Sequence, residues 1–201
     1  MMVIGLAGGS GSGKGTVSAF FSHYGILPID TDKIYHDLIS RDTSCTRELS
    51  DAFGKEILSE TGAVDRRALS EIVFSDHEKL KELNRITHFH VLNEVRDIIS
   101  DADTDDYAAV LVDAPLLFES GFNRECDAVI SIIADKEKRI ERIALRDNIT
   151  REAAEKRIAA QLSDAFLIEN SDYVIENSGS TEELKGKVAE IAAKILANKI
   201  K

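Results

Sequence analysis

The chain has 201 residues, 43% hydrophobic and 30% charged, with a formal net charge of −11. That length buries a full core as one domain with room for an excursion, and the composition is that of an ordinary globular protein. The negative balance argues against non-specific nucleic-acid or anionic-membrane binding, so a bound polyphosphate must be held by a local cluster of Lys, Arg and backbone N–H groups.

Met2-Val3-Ile4-Gly5-Leu6-Ala7 is an apolar run that predicts a short buried strand. Gly8-Gly9-Ser10-Gly11-Ser12-Gly13-Lys14-Gly15-Thr16 follows, and Val17 to Phe21 predicts a helix with an apolar face. Strand, glycine-rich turn and helix start are the context of a phosphate-binding loop. Its glycines let backbone N–H groups converge on phosphate oxygens, the helix N-terminus adds partial positive charge, and Lys14 supplies a mobile cation. The predicted nucleotide-binding set is Gly11, Ser12, Gly13, Lys14, Gly15 and Thr16. Gly15 sits where such loops usually carry the magnesium-ligating hydroxyl, and Thr16 comes one residue later. The order Gly-Lys-Gly-Thr resembles the loops of adenylate-kinase-like proteins.

Ile26 to Asp30 predicts a second strand that delivers Asp30-Thr31-Asp32 to its C-terminal end, where ligands sit in open α/β sheets. Asp32 is therefore a candidate catalytic carboxylate, its plainer role being the N-cap of a helix over Lys33 to Ser40. Residues 41–60 read as a helix and turn ending near Gly62, and Asp65 caps a helix that begins with Arg66 and Arg67. Ser75-Asp76-His77-Glu78 reads as a capping box for a long helix to about Ser100. This excursion, roughly 60–105, exceeds what a crossover needs and suggests a substrate-binding insertion. Arg66 and Arg67 suit a substrate phosphate; His88 and His90, two apart, do not share a helix face.

Tyr107 to Asp113 predicts a third strand ending in an acid, the form of a Walker-B strand whose Asp113 can hold magnesium directly or through water. Pro115 stops it. Asp127 to Ile133 predicts a fourth, fully buried strand, and Asp135 caps the next helix. Arg139, Arg142 and Arg146 share one face of that helix, which in most chains is a solvated stripe. Here the stripe leads through a polar break into Arg151 to Gln161, so residues 139–165 read as a lid over phosphates. Asp172 to Glu176 predicts the fifth strand, and Ser180 with Glu183 a capping box for the last helix. Strands alternating with helices predict an α/β fold of three layers around a five-stranded parallel sheet.

No apolar run is long enough to span a membrane, and the apolar N-terminus lacks a basic flank and breaks at Gly8, so it is not a signal peptide. Cytoplasm is the expected location. Cys45 and Cys126 lack the spacing of a zinc site or redox pair and read as free thiols in a reducing compartment.

Together these residues resemble the dephospho-CoA kinase family of P-loop kinases. The likeness runs from Gly5-Leu6-Ala7-Gly8-Gly9 with Lys14, through Ile29-Asp30-Thr31-Asp32 and Gly62-Ala63-Val64-Asp65-Arg66-Arg67-Ala68-Leu69, to Leu83-Asn84 with His88. It continues through Pro115-Leu116-Leu117-Phe118-Glu119, Arg142, Arg146-Asp147, Thr150-Arg151-Glu152, Ala160-Gln161 and Val174 to Gly179. The resemblance implies a P-loop NTPase fold with a helical substrate-binding insertion and a helical lid. It implies transfer of the ATP γ-phosphate to the ribose 3′-hydroxyl of dephospho-CoA, the last step of CoA synthesis, with Mg2+ as cofactor.

On that resemblance Asp32 is the base, Lys14 and the loop amides hold the phosphates, and Arg142 and Arg146 close over the transferring phosphoryl. Asn177 lies near the adenine. Arg66, Arg67 and His88, with Leu116 and Glu119, hold dephospho-CoA, and Thr16 and Asp113 are the candidate magnesium ligands. Gly15, Phe89 and Leu167 depart from the family's usual hydroxyl, proline and basic residue. The other readings are a kinase for nucleoside monophosphates or another small molecule, and a nucleotide-switch module, which would want an Asn-Lys-x-Asp motif that is absent. No nucleic-acid or membrane partner is expected, and the chain is expected to be a monomer or a weak homo-oligomer.

Overall fold

The computed structural model describes residues 1–73, 76–102 and 105–198. The chain divides into two compact units, Met1–Ile29 with Ala102–Lys201, and Asp30–Asp101.

The first unit is built on strands β1 (Met2–Gly8), β2 (Ile26–Asp30), β3 (Ala109–Asp113), β4 (Ala128–Ile133) and β5 (Tyr173–Glu176). They form one five-stranded parallel sheet in the order β2-β3-β1-β4-β5. β1 pairs in parallel with both β3 and β4, and β4 with β5, so the first strand lies at the centre. Side chains alternate across a strand. Ile4 and Leu6 therefore enter a core with Val17 and Phe21 of α1 (Lys14–Phe21) and Leu184, Val188 and Ile195 of α9 (Thr181–Asn198). Gly5 faces the other way, where an added Cβ would meet Leu117 at 2.8 Å and Cys126 at 3.0 Å.

Two strands start where an aspartate extends the ladder with its own carboxylate. Asp127 accepts from the Val3 N–H at 2.7 Å and Asp172 from the Val129 N–H at 2.8 Å. Both residues thus belong to the pairing although the strands proper begin one residue later, and β3 likewise begins at Ala109 rather than Tyr107. After β4 come α6 (Lys136–Asp147), α7 (Arg151–Ala159) and α8 (Asp164–Glu169). α6 and α7 share a small core of Ile140, Ile143 and Ala154 with Ile149 and Ile158 against it. Asp135 caps α6 through the N–H groups of Glu137 and Lys138, and Ser180 and Glu183 cap α9 reciprocally.

The second unit is helical: α2 (Thr31–Ile39), α3 (Ser44–Phe53), α4 (Arg66–Val73) and α5 (His77–Asp101). Ile39, Cys45, Leu49, Phe53, Ile57, Leu69, Val73 and Ile86 form its core. The unit is wider than the 60–105 excursion read from the sequence, because α2 and α3 bring their apolar faces to α5. Asp65 caps α4 and Asp76 caps α5. The Ser75 half of the expected capping box lies outside the described residues. His90 Nε2 donates to the Glu48 carboxylate at 2.8 Å, and Arg85 bridges Glu48 and Glu82, tying α3 to α5. The hydrogen bond from His90, with help from Arg85, holds the Glu48 carboxyl below its usual range. Among the described residues no helix is long and apolar enough to cross a membrane.

Candidate active site

The glycine loop between β1 and α1 is shaped by side chains that follow it by more than a hundred residues. The Ser12 N–H closes a turn on the Gly9 carbonyl at 3.1 Å. The next three carbonyls each accept from outside the loop. Ser10 O accepts from Arg139 Nε at 3.0 Å, Gly11 O from Arg142 Nη1 at 3.0 Å, and Ser12 O from Asn177 Nδ2 at 2.7 Å. C=O and N–H point to opposite sides of a planar trans peptide, and no described peptide is cis. Fixing the Ser10 and Ser12 carbonyls therefore turns the N–H groups of Gly11 and Gly13 the opposite way, away from Arg139 and Asn177.

Glycine is required at two of these positions. Gly11 has φ +76°, and an added Cβ would lie 2.7 Å from the Arg139 backbone oxygen. Gly13 has φ +92°, and its Cβ would lie 2.2 Å from Asn177 Nδ2. Gly13 is also the N-cap of α1; no side chain caps that helix and its first turn carries no acid. The helix end keeps its partial positive charge for an anion. The Ser12 hydroxyl, buried beside Gly8, has no hydrogen-bond partner among the described residues.

Lys14 forms an ion pair with Asp113, both side chains largely buried. The register that sets Asp113 beside Leu6 puts this carboxylate at the C-terminal end of β3, level with the start of the loop. Gly15 and Thr16 are exposed on α1, and an added Cβ at Gly15 would meet nothing within 4 Å.

Two of the three arginines of the α6 stripe, Arg139 and Arg142, are turned onto the loop, and Arg146 is solvated. Arg139 is 4% exposed, pairs with Asp164 at 3.0 Å, and points into the loop. Arg142 spends Nη1 on Gly11 O and Nη2 on Asn177 O. Arg146, one turn on, is exposed and grips Asp147 at 2.7 Å through Nε. Arg146 and then Arg157 hold the Asp147 carboxyl down to about 2. The structure thus brings Gly11, Ser12, Gly13, Lys14, Asp113, Arg142 and Asn177 together, and leaves Arg146 outside that cluster. Leu116 and Glu119 are exposed on the loop after β3, where Phe118 stacks edge-on with Phe166 of α8, ring centroids 5.3 Å apart. Leu167 of α8 is buried, 3% exposed.

In the second unit Asp32 is exposed in the first turn of α2. The N-cap there is Asp30, whose carboxylate accepts from the Asp32 and Lys33 N–H groups at 3.0 and 3.1 Å. The capping role read for Asp32 therefore belongs to Asp30, because the helix starts two residues earlier than the sequence suggested. Arg66 and Arg67 are exposed at the start of α4; Arg67 pairs with Glu71 at 3.1 Å. Arg66 acts on the half-buried Tyr35, whose hydroxyl burial pushes up and Arg66 pulls partly back. His88 is half-buried on α5.

Ser10, Arg139, Gln161 and Asp164 were not among the site residues expected from the sequence. The signal was Arg139 three residues before Arg142, together with the Ala160-Gln161 pair.

The family model for dephospho-CoA kinase matches residues 2–183. The chain belongs to the dephospho-CoA kinase family. A dephospho-CoA kinase from Fusobacterium nucleatum is 43% identical over 174 residues, covering 87% of this chain and 88% of the relative. A solved protein from Thermus thermophilus superposes with a TM-score of 0.81 at 30% identity, covering 96% of this chain and 97% of the other. The dephospho-CoA kinase from Campylobacter jejuni superposes with a TM-score of 0.72 at 26% identity, covering 98% of each chain. The fold is that of the P-loop kinases.

Proposed function

We propose that this chain transfers the γ-phosphoryl group of ATP to the ribose 3′-hydroxyl of dephospho-CoA, releasing ADP and CoA. The observation that carries the reading is the row of three loop carbonyls held outward by Arg139, Arg142 and Asn177. It leaves amide N–H groups, a bare helix N-terminus and Lys14 to receive a polyphosphate, in a chain of this family.

Phosphoryl transfer relies mainly on positioning and charge stabilisation. Lys14 leaves Asp113 for the β- and γ-phosphates, and the amides of Gly11 and Gly13 fix them. The 3′-oxygen forms a bond to the γ-phosphorus while the bond to the β,γ-bridging oxygen breaks. Asp32 orients the hydroxyl and takes its proton. Arg142 reaches the transferring group by releasing one of its two carbonyl partners, and Arg146 by releasing Asp147. Arg66, Arg67 and His88 hold the acceptor, with Leu116 and Glu119 contributing from the loop after β3. Asn177 holds the loop from the adenine side.

A magnesium ion fits the donors present in a limited way. Among the described residues no three His, Cys, Asp or Glu side chains form a ready-made cation site. Magnesium on a nucleotide needs only one or two protein oxygens, and Asp113, once Lys14 has left it, is the buried carboxylate at the loop. Thr16 is the nearest hydroxyl in sequence, one position beyond the vacant place at Gly15. Bound there, the ion would neutralise phosphate charge.

The test is ADP formation by the full chain with ATP and magnesium, with and without dephospho-CoA, alongside a panel of nucleoside monophosphates. The expected result is ADP release that depends on dephospho-CoA. Equal or faster release with a nucleoside monophosphate, or fast hydrolysis without any acceptor, overturns the assignment.

A further inference from the structure

Ser10, at the tip of the glycine loop, has every polar group engaged by two side chains. Gln161 Oε1 accepts from its N–H at 2.9 Å, and Gln161 Nε2 donates to its hydroxyl at 3.3 Å. Arg139 Nε donates to its carbonyl at 3.0 Å. The two gripping side chains touch each other, Arg139 Nη2 to Gln161 Oε1 at 3.4 Å, and Asp164 anchors Arg139 Nη1 at 3.0 Å. Two pieces of chain thus meet on Ser10, α6 through Arg139 and the turn after α7 through Gln161, and the start of α8 backs them through Asp164 on Arg139.

The glycines next to Ser10 make room for this grip. An added Cβ at Gly9 would come 2.1 Å from Arg139 Nη2 and 3.0 Å from Gln161 Oε1, and at Gly11 2.7 Å from the Arg139 carbonyl. The 4% exposed guanidinium could not approach a loop with side chains at these positions. The Gly9–Ser10 peptide is held at its C=O by the Ser12 N–H and at its N–H by Gln161, and the Ser10–Gly11 peptide is held at its C=O by Arg139, so neither plane has much freedom to rotate. Fixing the Ser10 carbonyl also fixes the N–H of Gly11, which lies across the same peptide.

We infer that Arg139, Gln161 and Asp164 are positioning residues for nucleotide binding, setting the direction of the loop amides through Ser10 and linking the arrangement of residues 151–165 to ATP affinity. None of the three touches the phosphates in this scheme. The inference rests on the reading of the loop as the ATP site.

The test is calorimetric titration of the full chain with ATP and magnesium in the absence of acceptor, together with the thermal midpoint and the two KM values. Gln161 is exposed, so Gln161→Ala keeps the fold; it should weaken ATP binding roughly 3- to 10-fold, the worth of one or two hydrogen bonds. Its thermal midpoint should stay within about 2 °C, as for surface substitutions generally, and KM for dephospho-CoA should not change. Gln161→Glu keeps the acceptor for the Ser10 N–H and for Arg139, so it should restore affinity to within about twofold. Gly9→Ala displaces the guanidinium and should weaken ATP binding to a similar degree. Because both changes break one contact, the double variant should lose less than the product of the single losses. Wild-type ATP affinity in Gln161→Ala, or independent multiplicative losses in the double variant, overturns the inference alone. A wild-type chain that binds no ATP overturns both the inference and the functional reading beneath it.

Discussion

Asn177 gives the sharpest single test of how the glycine loop is held. Its side-chain amide donates to Ser12 O at 2.7 Å in a buried setting, while its own backbone carbonyl accepts from Arg142. Asn177→Ala removes the side-chain donor and leaves the backbone contacts. A lost hydrogen bond is worth about 0.5–1.5 kcal/mol, and a buried carbonyl left without a donor costs a further 1–3 kcal/mol or so. The sum is about 1.5–4.5 kcal/mol, which for a chain of this size lowers the thermal midpoint by roughly 3–18 °C. Asn177→Asp keeps the shape but sets a carboxylate oxygen against the Ser12 oxygen, so its loss should be at least as large. The assay is the thermal midpoint without nucleotide, followed by titration with ATP and with GTP. Wild-type midpoints and wild-type ATP affinity in both variants would refute the argument. A change confined to the preference for ATP over GTP would place Asn177 at the base alone.

Four further outcomes are expected. Asp32→Asn should bind ATP normally and lose about 100-fold or more in kcat, the scale of a missing general base, in single-turnover and steady-state assays. Lys14→Ala should lower kcat/KM by about 10²–10³-fold, as when other charge-stabilising donors are deleted, measured by ADP release. Gly15→Ser has open space for its side chain and a helical position; it should lower the magnesium concentration for half-maximal turnover and raise the midpoint by about 1–2 °C, and an unchanged magnesium titration would rule out a role for that hydroxyl. Burial pushes the thiols of Cys45 and Cys126 up to about 11 and about 12. Unfolded thiols lose protons from about pH 8.5 while the folded ones hold theirs, so stability should fall as pH rises from there toward 11. Alkylation at pH 8, followed by mass spectrometry, should be slow in the folded chain and ordinary after denaturation.

Much of the fold is written in local pattern. Apolar runs ending at Gly8, Asp30, Asp113, Ile133 and Glu176 are the five strands, and Asp65, Asp135 and the Ser180–Glu183 pair cap the helices they precede. The loop itself is legible because Gly11 and Gly13 need backbone angles and clearances that only glycine allows. What was not legible is where the arginines of α6 point. Their partners in the loop are backbone carbonyls, and a carbonyl leaves no mark in a sequence, so Arg139 and Arg142 look the same as solvated residues until the loop is folded beside them. The same blindness misplaced the cap of α2. Two aspartates two positions apart are both plausible caps, and only the hydrogen bonds to Asp30 separate them. The six residues of α8 are too few to show a period.

The long sequence separation between the glycine loop and its anchors bears on how the chain emerges from the ribosome. Residues 8–16 are made first, yet the side chains that orient their carbonyls arrive at 139, 142 and 177. The stretch Asp30–Asp101 is uninterrupted and can close its own core while the rest is still being translated. The earliest motif made is therefore among the last to take its working shape. A fragment that stops short of residue 177 would carry the full glycine signature and still lack a formed phosphate cradle.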